Sequence, residues 1–190
     1  MNRQELDSLI EREGDRYEFE YRGYNCVLLR NTLKVWLGYV GVTPVHPLYG
    51  YNYKDIIKVP QEILQAKVEI SRMGLIDFMA FCLQKKKEDI PNDHIQISAA
   101  LPVHGGLNYS ESNLPIDESE SDLVSKIWWF GFHCGHHSDL VPEHSFDLYN
   151  GKSSYKTKEF VIKELEHLVD RLIIFKFGRD EQTRKETEGN

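Results

Sequence analysis

The fold is decided by one stretch of the chain, Trp128-Trp-Phe-Gly-Phe-His-Cys-Gly-His-His-Ser-Asp139. Its first half, residues 127–134, is apolar and aromatic enough to form an interior strand of a sheet. Because side chains alternate along a strand, Trp128 and Trp129 should point to opposite faces. The second half carries histidine, cysteine and aspartate side chains. The strand should therefore deliver chemistry-bearing groups to one end of a sheet, where clefts form.

The sequence before this stretch predicts an antiparallel meander. Residues 3–13 form a short helix that Asn2 can cap, with Glu5 three positions later. Apolar and polar residues then alternate with a period of two, which predicts strands. The strands and turns expected are Tyr17–Tyr21, a turn at Arg22-Gly23, Asn25–Arg30, a turn at Asn31-Thr32, and Leu33–Val40.

Helical periodicity returns in the second half of the chain. The pattern predicts helices at 60–71, 74–84 and 156–175, and a strand from His94 to Val103. We predict an α+β fold with a mainly antiparallel sheet and helices packed on one face. Residues 1–178 should form a single domain, and the charged tail 179–190 should fray.

Composition limits the possible functions of the chain. Its 190 residues suit one domain, and a net charge of −7 argues against general nucleic-acid binding, which needs a basic face. Three cysteines without paired spacing suit a reducing compartment. The start lacks an apolar signal core, and no apolar run approaches the ~20 residues of a membrane span. We expect a soluble cytoplasmic protein without membrane contact, and a homo-oligomer is left open.

The side chains of Cys134, His136 and Asp139 are all possible ligands for a transition metal. Their spacing matches no standard zinc pattern, and a structural zinc would need His46 or His104 as a fourth ligand. The alternative is that Cys134 packs in the core while the histidines form ordinary hydrogen bonds. The ligand count favours this alternative, so that no cofactor is expected although a metal remains open.

The segment His104-Gly-Gly-Leu-Asn-Tyr-Ser110 forms a second polar group. Gly105 and Gly106 would let backbone amides approach an anion closely. His104 can donate to a phosphate or act as an acid or base, and Tyr109 and Ser110 add hydroxyls. The alternative is a plain glycine turn between two strands.

Aromatic residues offer a surface for a planar ligand. Pro44 and Pro47 exclude a helix, so that His46 lies in a stiff loop with three tyrosines nearby. This loop is either a pocket wall or a packed aromatic loop. Trp128 or Trp129 can stack on a base, which contributes about 1–3 kcal/mol per base, unless both rings are buried.

The sequence contains no Gly-x-Ser-x-Gly elbow, phosphate loop or dinucleotide fingerprint.

These motifs resemble those of a group of phage and prophage proteins of unassigned role. The pattern of that group has Gly-Tyr-Val-Gly-Val with His-Pro and Tyr-Gly, His-Gly-Gly-Leu-Thr-Tyr, Trp-Trp-Phe-Gly-Phe-Asp-Cys-x-His, a nearby Asp and a closing helix. The chain matches it at Gly38–Val42, His46-Pro47, Tyr49-Gly50, His104–Leu107, Tyr109, Trp128–Phe132, Cys134, His136 and Asp139. It departs at His133, where the pattern has Asp, and at Asn108, where Thr is usual. Residues 60–100 form a longer middle than in shorter members.

The resemblance implies an accessory phage protein in the cytoplasm of an infected or lysogenic bacterial host. Such proteins often counter bacterial defence by capturing or destroying nucleotide signals. The leading hypothesis is therefore sequestration of a nucleotide-derived immune signal, of the cyclic nucleotide or cyclic ADP-ribose type. The ligand-binding residues expected are His46, His104, Gly105, Gly106, Tyr109, Ser110, Trp129, His136 and Asp139.

Two alternatives stand beside sequestration. A hydrolase would cleave the same class of signal, with His104 and His136 as acid and base or as ligands, with Asp139, of a catalytic metal. A protein-binding inhibitor would instead use the acidic loop 111–122, which has five acidic and no basic residues.

Overall fold

The computed structural model describes residues 2–65, 72–74, 78–79, 82, 90–115, 126–143 and 153–188, with side chains of the last helix described up to Lys176. The elements in chain order are α1 (Arg3–Glu13), β1 (Arg16–Tyr21), β2 (Tyr24–Arg30), β3 (Trp36–Val42), β4 (Ile56–Lys58), α2 (Gln61–Gln65), β5 (His94–Gln96), α3 (Ile97–Ala100), β6 (Tyr109–Glu111), β7 (Trp128–His133) and α4 (Lys158–Glu188).

Five strands form one sheet in the order β1-β2-β3-β7-β6, and every neighbouring pair is antiparallel. Strands β4 and β5 form a small antiparallel sheet of their own. The prediction for the Trp128 stretch is confirmed, because β7 lies in the interior of the sheet between β3 and β6. The α+β class with a mainly antiparallel sheet is confirmed as well.

The first helix and hairpin follow the sequence signals closely. Asn2 accepts a hydrogen bond from the Glu5 amide at 2.9 Å, and the Glu5 carboxylate accepts one from the Asn2 amide at 2.8 Å. This is the predicted capping box. Arg22 and Gly23 both have positive φ, at 51° and 83°, as a tight two-residue turn between twisted strands requires.

The second turn is longer than the sequence predicted, so that β3 begins at Trp36 and not at Leu33. The Asn31 side chain accepts hydrogen bonds from the amides of Leu33 and Val35, at 3.0 and 3.2 Å. Asparagine competes in this way with the strand ladder for backbone donors. The turn therefore keeps residues 33–35 out of the strand.

One face of the sheet carries the main core, which α4 covers and to which α1 contributes the buried Leu6. Gly38 of β3 lies where a Cβ would come within 2.9 Å of the Phe132 ring and 3.1 Å of Val161. Glycine is needed there because it lets α4 approach the sheet. Leu165 and Leu168 of α4 are fully buried, and each such side chain contributes about 1.5–3 kcal/mol.

The other face carries a smaller apolar cluster around Val27, Tyr39 and Trp129. Trp128 instead packs against the main core. The two tryptophans thus point to opposite faces, as the strand period predicted.

Three expectations differ from the structure or lie outside it. The strand predicted from His94 to Val103 is wrong after Gln96, because 97–100 form α3, where two alanines favour helix. The predicted helix 60–71 is seen as α2, and its remainder lies outside the described residues, as does most of 74–84. Helix α4 runs beyond the expected end at Phe175 to Glu188, so that fraying of 179–190 stays a prediction.

No helix within the described ranges is both long and apolar enough to cross a bilayer.

Candidate functional site

Polar side chains meet where β7 ends and α4 begins. We call His104, His136, Asp139, Lys156 and Glu164 the His104 cluster. The turn after β7 positions Asp139, whose amide donates to the His136 carbonyl at 2.8 Å. Asp139 has no exposed surface, which is unusual for a carboxylate and requires that it be paired.

The imidazole of His104 is held by the Asp139 carboxylate. His104 Nε2 lies 2.9 Å from Oδ2 and 3.0 Å from Oδ1 of Asp139, and the His104 side chain is 16% exposed. An ionised carboxylate can only accept, so Nε2 must carry a proton. In the neutral ring, this assignment leaves the lone pair on Nδ1. The arrangement resembles the carboxylate–histidine pairs of hydrolases, in which the acid fixes the tautomer and orientation of the base.

Asp139 is ionised at neutral pH. Burial by itself would raise its pKa, but hydrogen bonds from His104 and from the His136 amide, at 2.9 Å, lower it. The nearby positive charges of His104 and Lys156 act in the same direction. Together they hold the pKa of Asp139 below its usual value, so the buried group is a carboxylate and not an acid.

A second carboxylate holds the backbone of His104. Glu164 Oε2 accepts a hydrogen bond from the His104 amide at 2.9 Å, and Glu164 Oε1 pairs with Arg72 Nη1 at 2.6 Å. Glu164 is 6% exposed. His104 is therefore fixed at both ends, its ring by Asp139 and its backbone by Glu164.

His136 packs between His104 and His133. Its ring centroid lies 5.3 Å from that of His104, edge to face, and 4.3 Å from that of His133, stacked at 24°. Burial, and then the charge of His104, lower the pKa of His136 against the opposing influence of Asp139. Its Nε2 is buried and has no hydrogen-bond partner among the residues that the structure describes. His136 is thus a neutral imidazole at pH 7.

The two glycines form a tight turn against His136. Gly105 and Gly106 have φ of 72° and 89°, and a Cβ on Gly105 would lie 1.7 Å from His136 Nε2. The Gly106 amide donates to the Val103 carbonyl at 2.9 Å. Of the two glycine amides expected to cradle a phosphate, the amide of Gly106 is therefore engaged within the protein.

The structure places His46 in the core, apart from the His104 cluster. Its Nδ1 accepts a hydrogen bond from the Leu48 amide at 3.1 Å, so Nε2 donates to the Leu172 carbonyl, also at 3.1 Å. Burial lowers the pKa of His46 to about 4. This histidine joins a loop to α4 as a neutral group.

The remaining predicted ligand residues also lie elsewhere. Trp129 and Tyr109 belong to the cluster on the opposite sheet face, where Tyr109 packs edge-on against Tyr39 at 5.3 Å. Ser110 is buried, and its hydroxyl accepts from the Tyr53 amide at 3.1 Å. The structure therefore brings together His104, Gly105, His136 and Asp139, and leaves the aromatic groups apart.

Cys134 is a residue of the main core. It is 2% exposed, and burial, followed by the charges of Asp139 and Glu164, raises the pKa of its thiol. A thiol ligand must lose its proton before it can bind a metal. Within the described part of the chain, no three His, Cys, Asp or Glu side chains are arranged to hold a metal ion.

Sequence reasoning missed Glu164 and Lys156. A signal for Glu164 was present, because it falls on the apolar stripe of α4, three residues after Val161 and four before Leu168. A carboxylate on a buried stripe needs a partner. Lys156 gave no such signal. The acidic loop 111–122 is described only as far as Pro115, and its expected role stays a prediction.

Comparison of the chain with family models, with curated proteins and with solved structures gives no match. The resemblance to phage proteins therefore rests on the motifs alone.

Proposed function

We propose that the protein is a hydrolase that cleaves a small nucleotide-derived signal, with His104 as the general base and acid. The observation that carries this proposal is the contact of both Asp139 oxygens, buried and ionised, with Nε2 of a partly exposed His104. Burial of a carboxylate costs free energy unless the group is paired and hydrogen-bonded. In an acid–base pair, the carboxylate also orients the histidine.

The proposed reaction is a water attack on a phosphorus centre. Asp139 keeps the proton on Nε2, so that Nδ1 accepts a proton from the attacking water while the new oxygen–phosphorus bond forms. The carboxylate stabilises the imidazolium that results. His104 then returns the proton to the leaving oxygen as the old phosphorus–oxygen bond breaks. A positioned acid–base group contributes about 10²–10⁴-fold to the rate.

Hydrolysis is supported over sequestration by the membership of the His104 cluster. The side chains that lie together are acid–base groups, whereas Trp129, one of the aromatic residues expected to hold a base, packs on the opposite sheet face. A capture site without a stacking surface would forgo about 1–3 kcal/mol of binding free energy for each base. The nucleotide class, the anti-defence role and the setting in a bacterial host's cytoplasm are proposed from the sequence resemblance.

The test is incubation of the purified protein with cyclic nucleotides and cyclic ADP-ribose isomers, followed by mass spectrometry of the solution and of the heat-released fraction. We expect a product of new mass from the wild type and none from His104→Gln. His137→Gln is the matched control, because His137 is exposed and lies outside the cluster. A compound recovered intact from the heated protein would instead support sequestration, and the hydrolase proposal would fail.

A further inference from the structure

We propose that Lys156 forms a subsite for a phosphoryl group beside His104. The inference rests on the proposed function for its place in a reaction, yet the binding itself can be measured without turnover. Lys156 lies two residues before the start of α4, and no sequence motif pointed to it.

Lys156 makes one ordinary hydrogen bond and one longer ion pair. Its Nζ donates to the Ser154 hydroxyl at 2.9 Å and lies 3.6 Å from Asp139 Oδ1, which is longer than an ordinary hydrogen bond. An ammonium group has three N–H donors. Within the described residues, Ser154 takes one of them, and the side chain is 18% exposed, so that donors remain for a ligand that reaches the group.

His104 and Lys156 approach the same two groups. Both contact Asp139 Oδ1, at 3.0 and 3.6 Å. The His104 ring also lies 5.2 Å from the Phe160 ring, edge to face, and Lys156 Nζ lies 5.1 Å from the same ring centroid. A group bound to the Lys156 ammonium is therefore a near neighbour of the His104 imidazole.

The carboxylate nearest to Lys156 is shared with His104. In the described part of the chain, the carboxylates that face this region are Asp139 and Glu164, and Glu164 already pairs with Arg72 at 2.6 Å. Asp139 is therefore the carboxylate that both His104 and Lys156 contact. An anionic ligand would give Lys156 a closer negative partner than Asp139, which lies 3.6 Å away.

A phosphoryl group suits this arrangement better than a carboxylate does. Lysine binds phosphate as a compact point charge and needs no planar fork. Because a phosphoryl group has several oxygens on one phosphorus atom, Lys156 can bind one oxygen while His104 contacts another. A carboxylate offers only two oxygens in one plane, so acetate should bind more weakly.

The experiment uses inorganic phosphate as the probe, at constant ionic strength, with binding measured by calorimetry and by NMR of the His104 imidazole. We expect saturable binding to the wild type, at least tenfold weaker binding to Lys156→Gln, and binding within threefold of wild type for Lys156→Arg. Lys163→Gln is the matched control, because it removes the same charge from an exposed position of α4. Acetate should compete poorly.

The result that would overturn the subsite is the absence of saturable phosphate binding in the wild type, or equal binding by Lys156→Gln. If Lys156→Gln fails to fold, the ammonium resonance of Lys156 in the wild type replaces it, and a resonance that phosphate does not shift overturns the proposal. Phosphate binding that needs Lys156, without hydrolysis of any nucleotide, would support the subsite and contradict the hydrolase.

Discussion

Gly105 lies so close to His136 that a Cβ at this position would be 1.7 Å from the imidazole Nε2. The glycine is thus part of the packing that places His104, its neighbour in sequence, over Asp139. Backbone conformation adds a second demand, because φ is positive at Gly105.

Gly105→Ala is predicted to destabilise the protein more than Gly50→Ala. Both positions have positive φ, at 72° and 79°, but a Cβ at Gly50 has nothing within 4 Å. Gly50→Ala should therefore cost only about 1–2 kcal/mol of left-handed strain, whereas Gly105→Ala must also displace His136. Urea unfolding of both variants measures the difference. Equal losses would show that the contact between Gly105 and His136 carries no stability.

Acid should weaken the fold through His46. Its pKa is lowered to about 4 in the folded protein, from 6.5 in the unfolded chain, so the unfolded state binds the extra proton between these values. Stability is therefore full above about pH 6.5 and falls as the pH drops towards 4, by about 3 kcal/mol.

His46→Gln is the variant that isolates this effect, because glutamine does not titrate. It should be less stable than the wild type at pH 7 but show a smaller loss between pH 6.5 and 4. His133 and His136, whose pKa values are also lowered, destabilise both proteins at low pH in the same way, so that the difference between the proteins reports on His46. Urea midpoints across this pH range provide the measurement. Parallel curves for the two proteins would exclude His46 as the source.

Trp129 should matter for stability and not for turnover. It lies in the apolar cluster on the sheet face opposite the main core, with 7% of its surface exposed. Trp129→Phe should lower the melting temperature and leave kcat/KM within about twofold, since the smaller ring leaves a cavity away from His104. A loss of kcat/KM greater than tenfold in a folded variant would place a ligand against this face.

Chelation should leave the reaction unchanged. The proposed chemistry uses protons at His104, and Cys134 is a buried thiol with a raised pKa, a poor source of the thiolate that a metal needs. Activity after treatment with a strong chelator should equal that of the untreated protein. Loss of activity, with recovery on addition of one divalent ion, would favour the metal-dependent alternative with Asp139 as a ligand.

Local patterns predicted most of the sheet and little of the site. The alternation of Trp128 and Trp129 and the capping box at Asn2 depend on neighbouring residues, so that they can be read from a single sequence. The pairing of His104 with Asp139 joins residues 35 positions apart. The sequence around His104 or Asp139 shows only that the residue is polar, and it does not indicate which polar group that residue contacts in the fold.

The structure brings only part of the predicted ligand set together, for the same reason. His46 lies beside prolines in a loop, which made it resemble a surface residue, but its ring nitrogens bind the backbone at Leu48 and Leu172. Leu172 is 126 positions away, and no local pattern reports such a contact. Glu164 could have been found, because a carboxylate on an apolar helix stripe needs a partner.

The most direct test of the account is the hydrolysis rate of Asp139→Asn. The amide would fill the same space but would donate to Nε2 of His104, which forces the proton to Nδ1 and removes the base. We predict a 10²–10⁴-fold loss of kcat with little change in KM and a retained fold by circular dichroism. A folded Asp139→Asn protein with kcat within threefold of wild type would contradict the role assigned to the His104–Asp139 pair.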